Sequence, residues 1–442
     1  MKRTIILFML FAFPALYAQD TLSLNLQKSI DIALQNNHDL KIAKLEYEKA
    51  EEQVSEAFGR SVLPKISGAV NYRRAIKRAV IILETPFFSG SFPQGSENTL
   101  SIGATLEQPL FTGAVFYATR VAKVFAEISE KSYYLSKANL IRDVKRAYYS
   151  YLLAQKFLDL SVVTLKAAED NLKNAGALYH AGIAPEYDFV RAKVQVQNIL
   201  PEVQNAKNSI ILAANSLKIV MGLDIEQPFI IKDSLSYNEI KVEDFNSLIP
   251  VMSKKNFTLQ QLKLQIELQD KNVSYQYSKH FPELYFSGNW QATAQENDLR
   301  SFKRWRYINS LYVGLNLKIP IFNGWQTTSK VQQAKINLKQ VREEYKKTTK
   351  LLKNQLDEIL LKIDEMKNKI SAYQATIKEA QLGYDISQKR YANGLGTQLE
   401  NIDALVALTR AKVNYYNAIF DYYNLLAQLE ALLGNQGIVN NE

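Results

Sequence analysis

Two short turn sequences carry carboxylates that could act together. In the second turn, Thr397 stands where a helix N-cap is expected and Glu400 follows three residues later, as in a capping box. Glu400 and Asp403 are three residues apart and therefore share a helix face. Glu186 and Asp188 occupy the matching place after the first turn. Such acids, brought face to face in a ring, concentrate cations and disfavour anions. The alternative is that they are ordinary helix-start carboxylates that the helix dipole stabilises.

The sequence offers no catalytic arrangement. His38, His180 and His280 lack carboxylate or cysteine partners at metal-ligand spacing. Residues 394–396 lack the third glycine and the preceding strand of a phosphate-binding loop, and no nucleophile elbow is present. We therefore expect no enzyme, no cofactor and no metal site. A secreted enzyme on a helical scaffold is the disfavoured alternative.

The N-terminus has the pattern of a cleaved signal peptide. Lys2 and Arg3 precede an apolar run over residues 5–16, and Ala18 stands before the expected cleavage point. We expect residues 1–18 to be removed. A short membrane anchor is the alternative, but the apolar run falls short of the roughly 20 residues that a span needs.

The amino-acid composition excludes further kinds of chemistry and of partner. The chain of 442 residues has a formal net charge of +10, 47% hydrophobic residues and no cysteine. The missing cysteine excludes disulfides, thiol chemistry and lipidation of an N-terminal cysteine. Because an exported protein does not meet nucleic acid, we attribute the excess of lysine and arginine to solvated helix faces or to contacts with anionic lipid headgroups.

The sequence contains an internal repeat. Three glycine landmarks of the first half return in the second at offsets of 211 or 212 residues, namely Gly113 with Gly324, Gly182 with Gly394, and Gly222 with Gly434. We expect residues 19–222 and 251–434 to be two structural repeats. Residues 223–250 are then a linker outside them, and residues 435–442 a flexible tail.

Each repeat carries two segments whose apolar and polar residues alternate with period two, which is the signature of a strand. The segments are residues 65–74, 99–109, 283–292 and 310–320, with a loop between the members of each pair. About ten residues suffice for a tilted strand to cross a bilayer, so we interpret the segments as strands of a membrane barrel. A soluble, half-buried hairpin is the alternative. The side chains expected to face lipid are Val70, Ile102, Phe286, Val313, Leu315 and Leu317.

Long helices fill the rest of each repeat. We expect helices near residues 26–58, 114–175 and 325–390, and the latter two would each be roughly 90–100 Å long. From Val331 through Gln355 to Ile359, residues at steps of three and four form a coiled-coil seam. The last helix carries two such seams. They predict partners on both sides, as in a closed ring of helices, with a four-helix bundle as the alternative.

These motifs together give a resemblance to the TolC-type outer-membrane efflux proteins. The resemblance rests on the duplicated order of elements and on these motifs: Pro64 and Pro282 before the strands, the strand exits at residues 108–113 and 319–324, and the turns at residues 179–188 and 391–403. It implies a mainly α fold with a membrane β-barrel. Each chain of a homotrimer would give four strands to a shared twelve-stranded barrel, and the helices would form an α-helical periplasmic tunnel.

The same resemblance implies a function and partners. The protein would be the exit duct of a tripartite efflux or type I secretion system in the outer membrane of a Gram-negative bacterium. It would passively conduct substrates from an inner-membrane pump of the RND or ABC type and a periplasmic adaptor, with outer-membrane lipid around it and no nucleic acid. A soluble periplasmic coiled-coil adaptor or structural protein is the alternative.

The resemblance also assigns roles to single residues at a gate. Glu400 and Asp403 match paired acids that ring the tunnel aperture, with glutamate in place of the first aspartate. Tyr391 matches a tyrosine that helps to hold the tip shut, and Asp188 matches an acid on the neighbouring hairpin. The aperture would be closed at rest and would open when the pump and adaptor engage it.

The chain departs from the family pattern at two gate positions. Gly396 stands where a latch arginine is usual, and Arg390 and Arg191 are the candidates to replace that arginine. Tyr187 replaces a small hydroxyl residue. The closed state would then be held differently or less tightly. The expected adaptor contacts at the hairpin tips are Gly182, Gly394 and Pro185.

Overall fold

The computed structural model describes residues 22–298 and 301–434, and most of these residues are helical. The helices are α1 (Leu26–Asn36), α2 (His38–Val62), α3 (Gly113–His180), α4 (Glu186–Met221), α5 (Phe245–Lys255), α6 (Phe257–Ser278), α7 (Gln326–Ala392) and α8 (Gln398–Leu433). The strands are β1 (Leu22–Leu24), β2 (Lys65–Arg74), β3 (Val80–Thr85), β4 (Phe88–Pro93), β5 (Asn98–Phe111), β6 (Phe229–Ile231), β7 (Glu283–Glu296) and β8 (Tyr307–Lys318). The expected signal peptide and C-terminal tail lie outside the described residues.

The chain divides into two compact units. The sheet unit comprises residues 42–135 and 253–352. The turn unit comprises the described residues of 1–41, 136–252 and 353–442. Each unit therefore takes part of both halves of the sequence.

The sheet unit contains an antiparallel four-stranded sheet in the order β2-β5-β7-β8. Side chains paired across antiparallel strands lie on the same face. Val70 pairs with Ile102, and Phe286 with Leu315. By this register one face carries all six side chains that the alternation marked as lipid-facing, namely Val70, Ile102, Phe286, Val313, Leu315 and Leu317. Leu315 is 66% exposed, so this apolar face is uncovered in the single chain.

The opposite face of the same sheet is polar, and its side chains bond across the strands. The Ser67 and Thr105 hydroxyls are 2.7 Å apart, the Ser101 and Thr293 hydroxyls are 3.4 Å apart, and the Asn316 amide donates to the Ser287 hydroxyl at 2.8 Å. The alternation in the sequence therefore separates an apolar face from a hydrogen-bonded one.

Residues 75–98, expected to be a loop, contain the hairpin β3–β4. The loop prediction gave weight to glycine, proline and serine, but the β-branched run from Val80 to Ile82 has high strand propensity. Opposite this run, the Phe88 and Phe92 rings stack 5.6 Å apart over Gly90. A Cβ on Gly90 would lie 2.7 Å from Phe88, so this glycine makes room for the ring.

The first helix is not continuous from 26 to 58, as the sequence pattern predicted. It breaks at Asn37, which has extended backbone angles of φ −58° and ψ 128°. The Asn37 side chain accepts from the Leu40 amide at 3.0 Å and so caps α2, while its Nδ2 donates to the Val220 carbonyl at 2.9 Å. A polar cap with a distant partner overrides the helical pattern. The second segment then continues past Gly59 to Val62.

The linker at residues 223–250 is more ordered than the sequence predicted. Its strand β6 pairs with β1 in parallel, and α5 begins within it and contains Pro250. Between them the chain lies along α8, where tyrosine hydroxyls hold it. Tyr423 donates to the Ser236 carbonyl at 3.0 Å and accepts from the Asn238 amide at 3.1 Å, and Tyr422 accepts from the Ile240 amide at 2.9 Å.

The second loop and the coiled-coil seam of α7 also differ in detail from the expectation. β7 extends to Glu296, and a 3-10 turn lies at Phe302–Arg304, within the expected second loop. In the α7 seam Gln355 is exposed, and the completely buried Leu356 takes its place, because the seam shifts by one residue there. No helix in the described part of the chain combines the length and hydropathy that a membrane span requires.

One pair of repeat landmarks matches in sequence and not in conformation. Gly324 has a φ of +64° and forms a turn before α7. Gly113 lacks a positive φ and begins α3 directly. A Cβ there would lie 1.9 Å from the Ser278 hydroxyl, so Gly113 permits the close approach of α6.

Candidate functional site

The candidate site is the pair of helical turns in the turn unit. The first turn, residues 181–185, joins α3 to α4, and the second, residues 393–397, joins α7 to α8. Gly182 and Gly394 each have a φ of +72°, a backbone region that favours glycine. The bonds that end the preceding helix match: Gly182 amide to Tyr179 carbonyl at 2.9 Å, Ile183 amide to Leu178 carbonyl at 2.9 Å, Gly394 amide to Tyr391 carbonyl at 3.0 Å, and Leu395 amide to Arg390 carbonyl at 2.8 Å.

The helices that follow the two turns begin differently. Thr397 is the N-cap of α8, and its hydroxyl accepts from the Glu400 amide at 3.2 Å, which confirms the predicted cap. Pro185 occupies the equivalent place before α4 and makes no side-chain capping bond. The expected adaptor contacts Gly182, Pro185 and Gly394 are all exposed.

The carboxylates of the two turns lie on the surface of the single chain. Glu400 and Asp403 are both exposed one turn apart on α8, whereas Asp188 is half-buried in the first turn of α4. Tyr187 beside it is 67% exposed. The structure thus leaves Glu400 and Asp403 accessible to ions or to another chain.

Tyr391, at the end of α7, packs against the two helices that flank the first turn. It is 4% exposed and packs against Ala175 of α3 and Ala192 of α4. Its hydroxyl is buried and has no hydrogen-bond partner in the described residues. Burial, and then the negative charge of Asp188, raise the pKa of Tyr391. The structure therefore brings Tyr391 and Asp188 together electrostatically, without a hydrogen bond between them.

Gly396 lies in a confined place. A Cβ there would be 3.1 Å from the Arg390 Cβ and 3.2 Å from a Glu400 carboxylate oxygen. A larger side chain at this position would need its neighbours to shift. The Arg390 guanidinium donates to the Leu395 carbonyl at 3.1 Å, so this arginine stabilises its own turn.

A buried polar group at the start of α8 was not predicted from the sequence. Asn401 is 2% exposed and donates to the Asn171 side chain at 2.8 Å, while Ser387 donates to Asn401 at 3.4 Å. Gln398 is completely buried, and neither polar atom of its amide has a partner among the described residues. An unpaired buried amide costs about 1–3 kcal/mol. The sequence did contain one signal for this group, because Gln398 and Asn401 are amide residues next to the apolar seam of α8.

Further polar and aromatic pairs continue along the α3–α8 interface. Within the turn unit these are Thr164 with Thr409 (hydroxyls 3.3 Å apart), Tyr149 stacked on Tyr423 (ring centres 4.4 Å apart), and the buried ion pair Lys145 with Glu430. The partners are far apart in sequence, so no local pattern could have matched them. No group of His, Asp or Glu in the described part of the chain is arranged to hold a metal ion.

Comparison with known proteins gives consistent matches. Residues 29–223 and 248–435 match the family described as outer membrane efflux protein. The outer membrane protein TolC of Escherichia coli strain K12 is 22% identical over 429 residues, covering 93% of this chain and 82% of that protein. The alkaline protease secretion protein AprF of Pseudomonas aeruginosa is 21% identical over 429 residues, covering 96% and 87%.

Solved structures show the same fold. The Campylobacter jejuni CmeC outer membrane channel has a TM-score of 0.75 at 20% identity, covering 94% of this chain and 87% of that one. The open state of the Neisseria gonorrhoeae MtrE outer membrane channel has a TM-score of 0.72 at 17% identity, covering 93% and 89%.

Proposed function

Because the chain belongs to the outer membrane efflux protein family, we propose that it is the exit duct of a tripartite efflux or type I secretion system. As a member of that family it is a non-enzymatic transport protein of the outer membrane of a Gram-negative bacterium. In the proposal it conducts substrates passively, and an inner-membrane pump supplies the energy. The soluble adaptor that the sequence left as an alternative is not favoured by the family match.

The observation that carries the proposal is the uncovered apolar face of the four-stranded sheet. β2 and β8 are the two edges of that sheet, and all ten residues of β2 are exposed. Unpaired strand edges are not tolerated in the hydrocarbon of a bilayer, so a spanning sheet must close on itself. Three copies that pair edge to edge form a homotrimer with one twelve-stranded barrel, in which the apolar face meets lipid and the polar face lines the lumen.

Aromatic side chains at both ends of the sheet support this arrangement. Tyr72 and Tyr307 lie on the apolar face at one end. At the other end, Phe111 lies on that face and Phe322 is 74% exposed. Aromatic belts of this kind mark the two interfaces of an apolar membrane band.

We propose that the helices form the periplasmic tunnel and that the turns form its gated tip. Residues 19–222 and 251–434 are then its two repeats, with the linker at 223–250 outside them. Glu400 and Asp403 ring the aperture, and Tyr391 beside Asp188 holds the second turn against α3 and α4. Opening requires α7 to withdraw the Tyr391 ring from Ala175 and Ala192.

The tips of the turns are suited to an adaptor. Ile183 and Leu395 occupy equivalent positions after Gly182 and Gly394 and are 66% and 72% exposed. An adaptor that covers these apolar side chains has a reason to bind both turns. Relatives include a probable efflux pump outer membrane protein, TtgC of Pseudomonas putida, and the secretion protein AprF, so the pump is proposed to be of the RND or ABC type.

Single-channel recording in a planar bilayer tests the proposal. In a salt gradient, the detergent-purified chain should give small, cation-selective steps. The double variant Glu400→Gln/Asp403→Asn should move the reversal potential towards zero, because it removes the aperture charge. The matched control is Asp224→Asn/Glu226→Gln, which removes the same charge from exposed positions in the linker and should leave selectivity unchanged.

Three outcomes would contradict parts of the proposal. An unchanged reversal potential in the double variant removes Glu400 and Asp403 from the aperture. Large steps in the unaltered protein contradict a tip that is nearly closed. A chain that is fully soluble without detergent and never conducts returns the soluble adaptor to consideration.

A further inference from the structure

One end of the four-stranded sheet is surrounded by basic side chains. β2 and β7 end there, and β5 and β8 begin there. The sequence contains two stretches, residues 73–78 and 300–306, each with four Lys or Arg and no Asp or Glu, and the described residues of both lie at this end. We call the seven described cations the basic collar: Arg73, Arg74, Lys77, Arg78, Lys303, Arg304 and Arg306.

The fold brings the two basic stretches together. The Tyr72 and Phe302 rings meet edge to face with centres 6.1 Å apart, so the second stretch lies beside the end of β2. The Asn297 side chain links the flanking segments, because it accepts from Arg78 at 3.3 Å and from the Glu97 amide at 3.0 Å. Cations that are more than two hundred residues apart in sequence therefore share one surface.

The collar is held on a defined scaffold. The 3-10 turn at Phe302–Arg304 is closed by the Arg304 amide on the Ser301 carbonyl at 2.8 Å. Trp305 is 4% exposed and anchors the stretch. None of the seven cations forms an ion pair with a carboxylate in the described residues. Six of them are exposed, namely Arg73, Arg74, Lys77, Lys303, Arg304 and Arg306.

The opposite end of the same sheet has no such excess. There Lys65 pairs in register with Glu107, and Lys318 with Glu283. Opposite charges on facing positions of neighbouring strands offset one another. The collar end also carries the acids Glu97 and Glu296, but both are half-buried and fewer than the seven cations, so an excess of positive charge remains at that end.

The collar lies just beyond the aromatic boundary of the apolar face. Tyr72 and Tyr307 mark that boundary. Arg73 and Arg74 directly follow Tyr72, and Arg306 directly precedes Tyr307. Aromatic side chains of membrane proteins sit at the level of the headgroups, where lipid phosphates are found. Arginine binds phosphate with two parallel hydrogen bonds, and several cations at one depth add to the attraction.

We propose that the basic collar binds the phosphate groups of anionic lipid in the outer leaflet of the outer membrane. This inference rests on the proposed insertion of the sheet into that membrane. Bound phosphates neutralise charges that would otherwise repel one another around the rim of a trimer. They also fix the depth at which the apolar face sits in the bilayer.

Native mass spectrometry of the full-length, detergent-purified chain can count bound lipid. The probes are bisphosphorylated lipid A, the same lipid with its phosphates removed, and phosphatidylcholine. The collar variant is Arg73→Gln/Arg74→Gln/Lys303→Gln/Arg304→Gln. The control, Lys346→Gln/Lys347→Gln/Lys362→Gln/Lys369→Gln, removes the same charge from exposed lysines of α7.

The expected result is a preference for phosphorylated lipid A that the collar variant loses by at least about tenfold and that the control keeps. Equal binding by the collar variant and the unaltered protein would overturn the inference. So would equal binding of the dephosphorylated lipid, or an equal loss in the control. Planar-bilayer recording separates this test from the proposed function. A collar variant that conducts normally but no longer binds lipid A supports both the channel and the lipid-binding collar. If the unaltered chain conducts but shows no preference for phosphorylated lipid, the collar inference fails and the proposed channel function stands.

Discussion

The first and second helical turns have the same backbone and different side-chain chemistry. Tyr179 of the first turn stacks on Phe189 of the following helix, with ring centres 5.8 Å apart. The equivalent residues of the second turn, Tyr391 and Asn401, have different partners. Tyr391 enters the α3–α4 interface and Asn401 bonds to Asn171.

Duplication has preserved the backbone of the turn and not its side chains. A turn between antiparallel helices needs a glycine at positive φ, and both copies keep it. The side chains around that glycine are free to diverge, because the backbone bonds do not depend on them. The first turn is stabilised by its own aromatic pair. The second turn depends on buried polar groups whose partners are on α3 or are absent from the described residues.

The largest expected effect concerns the shared backbone. Gly182→Val and Gly394→Val should each destabilise their turn by about 2–3 kcal/mol, because a β-branched residue is strained at positive φ. Hydrogen–deuterium exchange of residues 178–188 and 390–402 measures the local opening of each turn. If one variant loses several times more of its local stability than the other, the two turn backbones are not equivalent.

A second prediction concerns the amide pair that only the second turn possesses. Asn401→Ala should cost about 2 kcal/mol, because it leaves the buried Asn171 amide without a partner. Asn171→Ala should cost a similar amount, and the double variant little more than either one. Urea unfolding of the four proteins in detergent gives the coupling. Strictly additive losses would mean that the 2.8 Å bond contributes nothing to stability.

A smaller effect, of opposite sign, is expected at Gln398. Gln398→Leu should stabilise the second turn by about 1 kcal/mol, because it removes a buried amide that has no partner within the described part of the chain. The equivalent residue of the first turn, Glu186, is exposed, and Glu186→Leu should change stability by less than about 0.5 kcal/mol. Thermal unfolding of both variants is the measurement. If Gln398→Leu destabilises the protein, the amide has a partner in the assembled channel.

The smallest effect should appear only at alkaline pH. The pKa of Tyr391 is raised in the folded state, so the unfolded chain ionises first as pH rises past about 10. The folded state then loses stability through this residue as pH increases. Tyr391→Phe should lose less stability than the unaltered protein between pH 9 and pH 11, as read by urea unfolding. An equal loss of stability in the variant and the unaltered protein over this pH range would contradict the prediction.

Much of this architecture could be predicted from the sequence because its signals are local. Period-two alternation located all four strands of the main sheet to within a few residues, and it assigned Leu315 and Asn316 to opposite faces. Glycine spacing located both turns, and Thr397 was recognised as a cap from its own neighbourhood. The alternation and the cap are complete within about ten residues, and the glycine landmarks are recognised because the same local motif returns in the second half.

What the sequence could not show depends on distant partners. The break at Asn37 is stabilised by Val220, and the polar pairs of the α3–α8 interface join residues more than two hundred positions apart. The β3–β4 hairpin was missed for another reason, since its glycines and prolines masked a strong strand run. Gly113 was placed correctly, but its role depends on Ser278, which no local pattern identifies. The roles of Glu400, Asp403 and Tyr391 at a gate stay predictions.

The attachment of β1 and α1 has a consequence for the order of folding. Leu22 pairs with Phe229, Asn37 bonds to Val220, and a Cβ on Gly222 would lie 2.6 Å from the Asn36 carbonyl. A ribosome makes the N-terminus first, so both elements emerge long before their partners exist. Contacts at such sequence separation require a long loop to close and form slowly. The first described residues to be synthesised are therefore among the last to reach their native positions.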